Sequence, residues 1–203
     1  MARRRAADYE DKRQRLLTEA ARLFAEQGFP RTTIEALARA CDASKSWLYH
    51  YYPSKEALLY DLLRAHVLEL LRAADEAELE GGSPAEQLRT LVRSLMGIYV
   101  RSADKHVVLL NDLQVLPEEQ QREIVGLERR LVDRFGAILA ALAPAAVRDR
   151  ARGRALTMAL LGMINFTYTW FDPDGPVGPQ AYADLATDLF LGGIQGVARE
   201  GTG

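Results

Sequence analysis

The sequence predicts an all-α protein of nine helices in two parts. Apolar residues recur at intervals of three and four along almost the whole chain, which is the spacing of helices rather than strands. No segment alternates polar and apolar residues convincingly enough to predict a strand. The chain has 203 residues, 48% of them apolar and 27% charged, as expected for a globular protein of one or two small domains.

The first two helices are indicated by an apolar stripe and by residues that favour helix ends. The stripe predicts a helix over residues 8–28 that stops at Gly28, and it consists of Leu16, Leu17, Ala20, Leu23 and Phe24. Thr32 and Thr33 offer N-caps for a short second helix through Ala40, with Glu35 three residues after Thr32 as in a capping box. We expect Asp42 to break that helix, because Asp tolerates the left-handed turn conformation.

Seven further helices follow by the same signals. Ser44 can cap a short third helix, residues 45–51, which ends before Pro53. A long fourth helix opens at residues 54–55 and runs to residue 80, where Gly81 and Gly82 interrupt it. The remaining predicted helices cover residues 84–102, 104–115, 117–142, 145–171 and 180–199.

Composition and motifs exclude several classes of function. The single Cys cannot form an internal disulfide, and the three His lie in different predicted helices without metal-ligand spacing. No P-loop, dinucleotide-binding motif, nucleophile elbow or HExxH is present, so we expect neither an enzyme nor a metal or other cofactor. The N-terminus lacks the apolar core of a signal peptide, and no apolar run approaches about 20 residues, so we expect a cytoplasmic protein without a membrane partner.

The two ends of the chain differ in charge. Residues 1–56 carry 11 Lys and Arg against 8 Asp and Glu, whereas the remainder carries 15 against 20. A basic N-terminal segment followed by an acidic remainder permits nucleic-acid binding by the N-terminal segment.

The short second and third helices, joined by a turn of three to four residues, describe a helix-turn-helix. In the third helix Leu48 is the plainly apolar anchor. The residues around it are short hydroxyls, a lysine and aromatic rings with polar tips, which suit phosphate oxygens and base edges.

Two segments, Phe29 to Ala38 (FPRTTIEALA) and Ser44 to Leu58 (SKSWLYHYYPSKEAL), closely resemble the DNA-binding domain of TetR-family transcriptional regulators. The resemblance covers about residues 11–60, and the length and helix count are also similar to that family. It implies a DNA-binding domain over residues 1–54 and a helical ligand-binding and dimerisation domain over residues 55–203.

The resemblance also implies roles for individual residues. Thr33 would cap the second helix and contact a phosphate, and Tyr49 and Lys55 would hold phosphates as well. The residues facing the major groove would be Ser44, Lys45, Ser46, Trp47 and His50. Alternatives stay open for Trp47, which could pack between helices, and for His50, which could be a solvated residue at a helix end. An arm of Arg3, Arg4 and Arg5 offers a further DNA contact or a disordered tail.

The C-terminal part contains apolar stripes interrupted by polar groups, which suits a mostly apolar effector cavity with a few polar contacts. The candidate ligand-binding residues are Tyr99, His106, Leu110, Asn111, Leu113, Asn165, Phe166, Thr169 and Trp170. Asn165 lies in an apolar stretch, so its amide either bonds within the core or waits for a ligand.

Residues 106–117 and 165–172 resemble the branch of TetR regulators that respond to coenzyme A thioesters. They are most similar to regulators of phenylacetic acid catabolism and next to regulators of fatty-acid degradation. In this interpretation an aromatic acyl group lies among Phe166, Trp170, Tyr99 and Leu113. Four arginines lie near the start of the predicted eighth helix: Arg148, Arg150, Arg152 and Arg154. They either bind the CoA phosphates or form solvated surface.

Together these features predict a homodimeric transcriptional repressor, paired through its last two helices, that an effector releases from palindromic operator DNA. The effector would be a CoA thioester such as phenylacetyl-CoA. The alternatives are a repressor of fatty-acid degradation genes that responds to long-chain acyl-CoA, a DNA binder without effector control, and an activator.

Overall fold

The computed structural model describes the backbone of residues 2–199 and the side chains of residues 9–198. Within residues 2–199 there are nine α-helices and no strand, which confirms the predicted fold class. The helices are α1 (Ala2–Gln27), α2 (Ile34–Ala40), α3 (Lys45–Tyr51), α4 (Lys55–Glu80), α5 (Pro84–Arg101), α6 (Ala103–Asp112), α7 (Glu118–Leu142), α8 (Arg150–Asn165) and α9 (Pro179–Arg199). Short 3-10 turns cover Phe29–Arg31, Leu113–Val115 and Phe166–Thr169. None of the helices in this part of the chain combines the length and the apolar character needed to cross a membrane.

Several predicted helix bounds were wrong. Helix α1 begins at Ala2 rather than at residue 8, although the side chains of Arg3, Arg4 and Arg5 lie outside the described ones. Helix α8 begins at Arg150 rather than at residue 145, because Asp149 has extended backbone and its carboxylate accepts a 2.9 Å hydrogen bond from the Arg152 amide.

The C-terminal end of α8 also differs from the prediction, which continued the helix to residue 171. The α-helix ends at Asn165 and is followed by a 3-10 turn. The hydroxyls of Thr167 and Thr169 donate to the carbonyl groups of Ile164 and Phe166, three residues earlier. Such local bonds compete with the regular helical pattern. Helix α6 likewise ends at Asp112 and passes into a 3-10 turn.

The chain forms two compact units. Unit 1 comprises the residues up to His66 together with Asp104–Ile124, and unit 2 comprises Val67–Ala103 together with the residues from Val125 onward. Helix α4 therefore supplies its first half to unit 1 and its second half to unit 2.

The core of unit 1 is built from α1, the helix-turn-helix, the first half of α4, and α6. Its most deeply buried apolar side chains include Leu16, Phe24, Leu37, Leu48, Leu58, Leu62 and Val108. In unit 2, α5 packs along α9, and α8 contacts both of them. Both carboxylate oxygens of Asp184 on α9 accept 2.7 Å hydrogen bonds from Arg93 on α5, which fixes the register of that pair.

Candidate functional site

The turn between α2 and α3 is fixed by two caps and one left-handed residue. The hydroxyl of Thr33 accepts a hydrogen bond from the Ala36 amide and that of Ser44 accepts one from the Trp47 amide, each at 3.1 Å. Asp42 adopts φ +52°, as the sequence predicted. The predicted capping of α2 by Thr33 is confirmed. The capping box of Thr32 is wrong, since Thr32 is buried and its hydroxyl bonds the carbonyls of Leu23 and Gly28 instead.

Helix α3 presents a polar face to solvent while one side chain anchors it. Leu48 is fully buried in unit 1. The exposed residues of this face and its N-cap are Ser44, Lys45, Ser46, Tyr49 and His50. Side chains of this kind on an exposed short helix can reach phosphates and base edges. The structure therefore brings five of the eight predicted DNA-binding residues together on one surface.

The aromatic side chains of α3 form a cluster with α1. The ring of Tyr9 stacks on that of Tyr51 with centroids 4.6 Å apart. The ring centroids of Trp47 and Tyr51 are 4.7 Å apart. His50 meets Tyr51 edge to face at 5.4 Å. Trp47 is half-buried in this cluster, so packing and groove contact are both open to it. Tyr9 was missed from the sequence because its place on the α1 surface carries no motif.

Two acidic residues hold cations at the edges of this surface. The Lys45 ammonium pairs with the Glu35 carboxylate of α2, and Arg15 on α1 lies 2.8 Å from Asp42 in the turn. Hydrogen bonding and the nearby Lys45 charge hold the pKa of Glu35 below its usual range. Contact of Lys45 with DNA therefore competes with its pairing to Glu35.

Lys55, predicted to hold a phosphate, lies within unit 1 as a bridge to the α1–α2 connection. Its ammonium donates to the Phe29 carbonyl at 2.6 Å and the Thr32 carbonyl at 2.8 Å, and it lies 4.1 Å from the centre of the Phe29 ring. This geometry gives Lys55 a structural part beside its predicted phosphate contact, since its three donors already have two carbonyl partners.

A second, partly buried polar network lies between α1 and α4. Arg13 lies 2.5 Å from the Asp61 carboxylate, which also accepts a hydrogen bond from the Tyr52 hydroxyl. Burial and the neighbouring carboxylate raise the pKa of Tyr52. Tyr52 is 7% exposed, which confirms the prediction that it packs in the core.

Unit 1 also contains a buried histidine pair that joins α4 to α6. His66 Nε2 lies 3.4 Å from His106 Nδ1, and both rings are almost completely buried. Burial lowers the pKa of His66 to about 3 and that of His106 to about 4, and the neighbouring ring adds to the effect at His66. Both rings are therefore neutral at physiological pH.

The other predicted ligand residues of unit 1 lie nearer the surface. Leu110 is 42% exposed, Asn111 is exposed and Leu113 is half-buried in the 3-10 turn after α6. His66 was not predicted, although its position on the apolar stripe of α4, with Leu59, Leu62 and Leu63, signals burial.

In unit 2 the structure joins two of the predicted ligand residues. The Tyr99 hydroxyl on α5 donates a 2.7 Å hydrogen bond to Asn165 Oδ1 at the end of α8. Tyr99 is 6% exposed, and burial raises its pKa. The Asn165 amide thus has a partner within the protein, which is one of the two outcomes that its apolar context allows.

The remaining three residues lie on the surface of unit 2. Phe166 is 60% exposed, Trp170 is 57% exposed, and Thr169 is exposed beside them. Both rings are therefore accessible at this surface, and their contact with an acyl group stays a prediction. The three residues follow the end of α8 at Asn165, with Phe166 and Thr169 in the 3-10 turn and Trp170 directly after it.

Metal chemistry has no obvious place in this part of the chain. Among the described residues no group of three or more His, Cys, Asp or Glu side chains lies close enough together to hold a metal ion.

Comparison with known proteins agrees with this arrangement. The family described as "Bacterial regulatory proteins, tetR family" matches residues 16–62, and "Tetracyclin repressor-like, C-terminal domain" matches residues 81–194. A TetR-family transcriptional regulator from Bordetella parapertussis 12822 is 40% identical with a TM-score of 0.85, over 88% of this chain and 93% of that one. AibR, solved with isovaleryl coenzyme A and operator DNA, is 23% identical with a TM-score of 0.77, over 88% and 97% of the two chains.

The match with a curated relative spans a smaller share of that protein. The HTH-type transcriptional regulator YerO of Bacillus subtilis strain 168 is 31% identical over 114 residues, which are 55% of this chain and 39% of YerO. The match thus spans less than two thirds of that relative. The matching family, YerO and the Bordetella protein are described as regulators, which confirms the prediction that the chain is not an enzyme. The chain belongs to the TetR family of bacterial regulatory proteins.

Proposed function

We propose that this protein is a homodimeric transcriptional repressor that binds palindromic operator DNA in the cytoplasm and leaves it when a CoA thioester binds. The observation that carries DNA binding is the capped α2–α3 turn, which holds the polar face of α3 clear of the core. Thr33, Ser44, Lys45, Ser46, Tyr49 and His50 supply the contacts. We propose that Trp47 and Lys55, which are half-buried beside this surface, contact DNA as well.

An exposed apolar face on α8 and α9 supports the homodimer. Met158, Leu185 and Leu189 are 49%, 51% and 61% exposed on unit 2. Gly162 on α8 and Gly192, Gly193 and Gly196 on α9 have open space where a Cβ would stand. Apolar side chains beside small residues allow close packing of helices from a second copy, and burial of such a patch supplies association energy.

The effector assignment rests on the resemblance of residues 106–117 and 165–172 to acyl-CoA-responsive regulators. In unit 2 the Tyr99–Asn165 hydrogen bond supplies a polar pair among apolar side chains, which suits a ligand with few polar contacts. The fold is compatible with such a ligand, as AibR with isovaleryl coenzyme A illustrates for another protein of the same fold. The proposed contacts are Tyr99, His106, Leu110, Asn111, Leu113, Asn165, Phe166, Thr169 and Trp170.

The mechanism requires two conformations that differ in affinity for DNA. Recognition helices of a dimer must meet successive half-sites about 34 Å apart. An effector that binds better to a conformation with another spacing shifts the population away from DNA. Because α4 contributes to both units, it is the element through which we propose the change is transmitted.

The test is binding of the purified protein to DNA upstream of its own gene, followed by separate additions of phenylacetyl-CoA, a long-chain acyl-CoA and free CoA. Release by phenylacetyl-CoA alone supports the proposal. Release by the long-chain thioester supports the fatty-acid alternative. Tight binding that none of them changes contradicts the CoA assignment and retains DNA binding, and absence of DNA binding contradicts the repressor.

A further inference from the structure

Unit 2 contains a cavity that neither the DNA surface nor the Tyr99–Asn165 pair accounts for. It lies between α7 and α8, has a volume of about 260 Å³ and is lined by Arg129, Val132, Asp133, Gly136, Val147, Arg150, Gly153, Arg154 and Thr157. We infer that this cavity is a binding site for the phosphate group of a small phosphate monoester.

The charge of the cavity lining favours an anion. Three arginines and one aspartate line the cavity, so its lining carries a formal net charge of +2. A phosphate monoester carries about −1.5 to −2 at pH 7 and therefore balances that charge. Arginine guanidinium groups present paired donors that match the geometry of phosphate oxygens.

The guanidinium groups of Arg129, Arg150 and Arg154 are exposed and have no ion-pair partner among the described side chains, including Asp133. Other arginines of the same unit behave differently. Arg93 pairs with Asp184, and Arg134 bridges Asp75 and Glu78. A concave surface whose positive charges outnumber its negative charge favours capture of an anion.

The local structure separates the cavity arginines from their neighbours in the sequence. The guanidinium of Arg152 donates to the Ala146 carbonyl at 3.0 Å, and that of Arg148 donates to the Ala145 carbonyl at 3.4 Å. These two therefore fasten the loop before α8, whereas Arg150 and Arg154 lie one helical turn apart on the cavity side. The sequence analysis grouped all four arginines. In the structure only Arg150 and Arg154 of these line the cavity, together with Arg129 from α7.

The shape of the cavity limits the ligand. Its volume is slightly below the range of about 300 to 1,000 Å³ that is usual for ligand pockets, which favours a small molecule. Val132 and Val147 give it an apolar wall for the carbon portion of an ester. Gly153 is needed for the wall itself, because a Cβ there would come within 2.8 Å of Val147 Cγ1.

The inference is tested by calorimetric titration of the full-length protein with inorganic phosphate and with glycerol 3-phosphate, at fixed ionic strength against sodium chloride. The variants Arg150→Gln and Arg154→Gln each remove one cavity cation. Arg130→Gln is the matched control, because Arg130 is exposed like its neighbour Arg129 on α7 but does not line the cavity. Thermal melts without ligand establish that each variant is folded.

We expect saturable binding of glycerol 3-phosphate at one site per chain, weakened about tenfold or more by each cavity variant and less than twofold by the control. Equal binding of inorganic phosphate would identify the free anion as the ligand and keep the site. Absence of saturable binding, or equal weakening by Arg130→Gln and Arg154→Gln, would overturn the inference. Neither result depends on DNA binding or on the CoA effector, so the outcome is independent of the proposed function.

Discussion

His66 Nε2 on α4 and His106 Nδ1 on α6 lie 3.4 Å apart inside the unit that carries the helix-turn-helix. Burial favours the neutral form of both rings in the folded state. A proton on either ring would place a charge in a buried apolar environment. Acidification should therefore loosen the contact between α4 and α6.

The first prediction concerns the pH dependence of stability. The pKa values of about 3 for His66 and about 4 for His106 lie below that of an unfolded histidine, about 6.5. The unfolded chain then binds more protons as pH falls below about 6.5. The free energy of unfolding should fall by about 1.4 kcal/mol per pH unit for each histidine until the folded pKa values are reached.

Urea unfolding at pH 7 and pH 5 measures this effect. The double variant His66→Leu, His106→Leu should lose about 2 to 4 kcal/mol less than the native protein over that interval. The change with pH is compared rather than the absolute stability, so an effect of the substitutions on packing does not interfere. His50→Gln is the control, because His50 is exposed. An unchanged pH dependence in the double variant would contradict the assignment.

The second prediction concerns Tyr99 and Asn165. Tyr99→Phe removes the donor of their 2.7 Å hydrogen bond and leaves the amide oxygen of Asn165 without it. The free energy of unfolding should fall by about 1 to 2 kcal/mol, measured with urea. Tyr168→Phe is the matched control, because Tyr168 is 42% exposed, and it should change stability by less than about 0.5 kcal/mol. Equal effects of the two variants would show that the bond contributes nothing.

The third prediction uses the Lys45–Glu35 ion pair. Glu35→Gln removes the carboxylate that holds the Lys45 ammonium, so Lys45 becomes available to DNA. Operator affinity at 50 mM salt should rise about two- to fivefold, because exposed ion pairs are weak and their loss costs little. Glu56→Gln removes an exposed carboxylate of the same unit as a control for the general change in charge. A larger gain from Glu56→Gln would contradict the role of Lys45.

The fourth prediction is the salt dependence of operator binding. A dimer making about 6 to 10 phosphate contacts should lose about 10³ to 10⁵ in affinity between 50 and 200 mM salt, because bound phosphates release their counterions. Fluorescence anisotropy with a labelled operator measures the slope. Lys45→Ala and Trp47→Ala should also relax specificity, whereas Tyr49→Phe should weaken all sequences alike. An operator affinity that does not change with salt concentration would exclude this mode of recognition.

The sequence predicted the parts of the fold that depend on local chemistry. Thr33 and Ser44 cap their helices and Asp42 takes the left-handed turn because each bond is made within a few residues. The apolar spacing similarly located the nine helices. Their ends were less predictable, as α8 shows, since the bonds of Thr167 and Thr169 compete with an apolar stretch that would otherwise continue the helix.

Contacts between distant segments could not be predicted. The partners of His106 and Lys55 are 40 and 23 to 26 residues away, and nothing in the sequence pairs them. The arginines around the start of α8 showed the same limit, because a run of like residues does not tell which side chains bond to the preceding loop and which line a cavity.

The last prediction concerns the exposed face of α8 and α9. Leu189 is 61% exposed in the single chain, so arginine at this position is tolerated by the isolated fold. If this face joins two copies, Leu189→Arg places two charges in a desolvated interface and should convert the dimer to a monomer. Light scattering coupled to gel filtration measures the mass, and operator affinity should fall because each half-site then binds alone. Leu79→Arg is the matched control, since Leu79 is 86% exposed at the end of α4 and lies away from α8 and α9 in sequence. A dimer that survives Leu189→Arg but not Leu79→Arg would move the interface from α9 to α4.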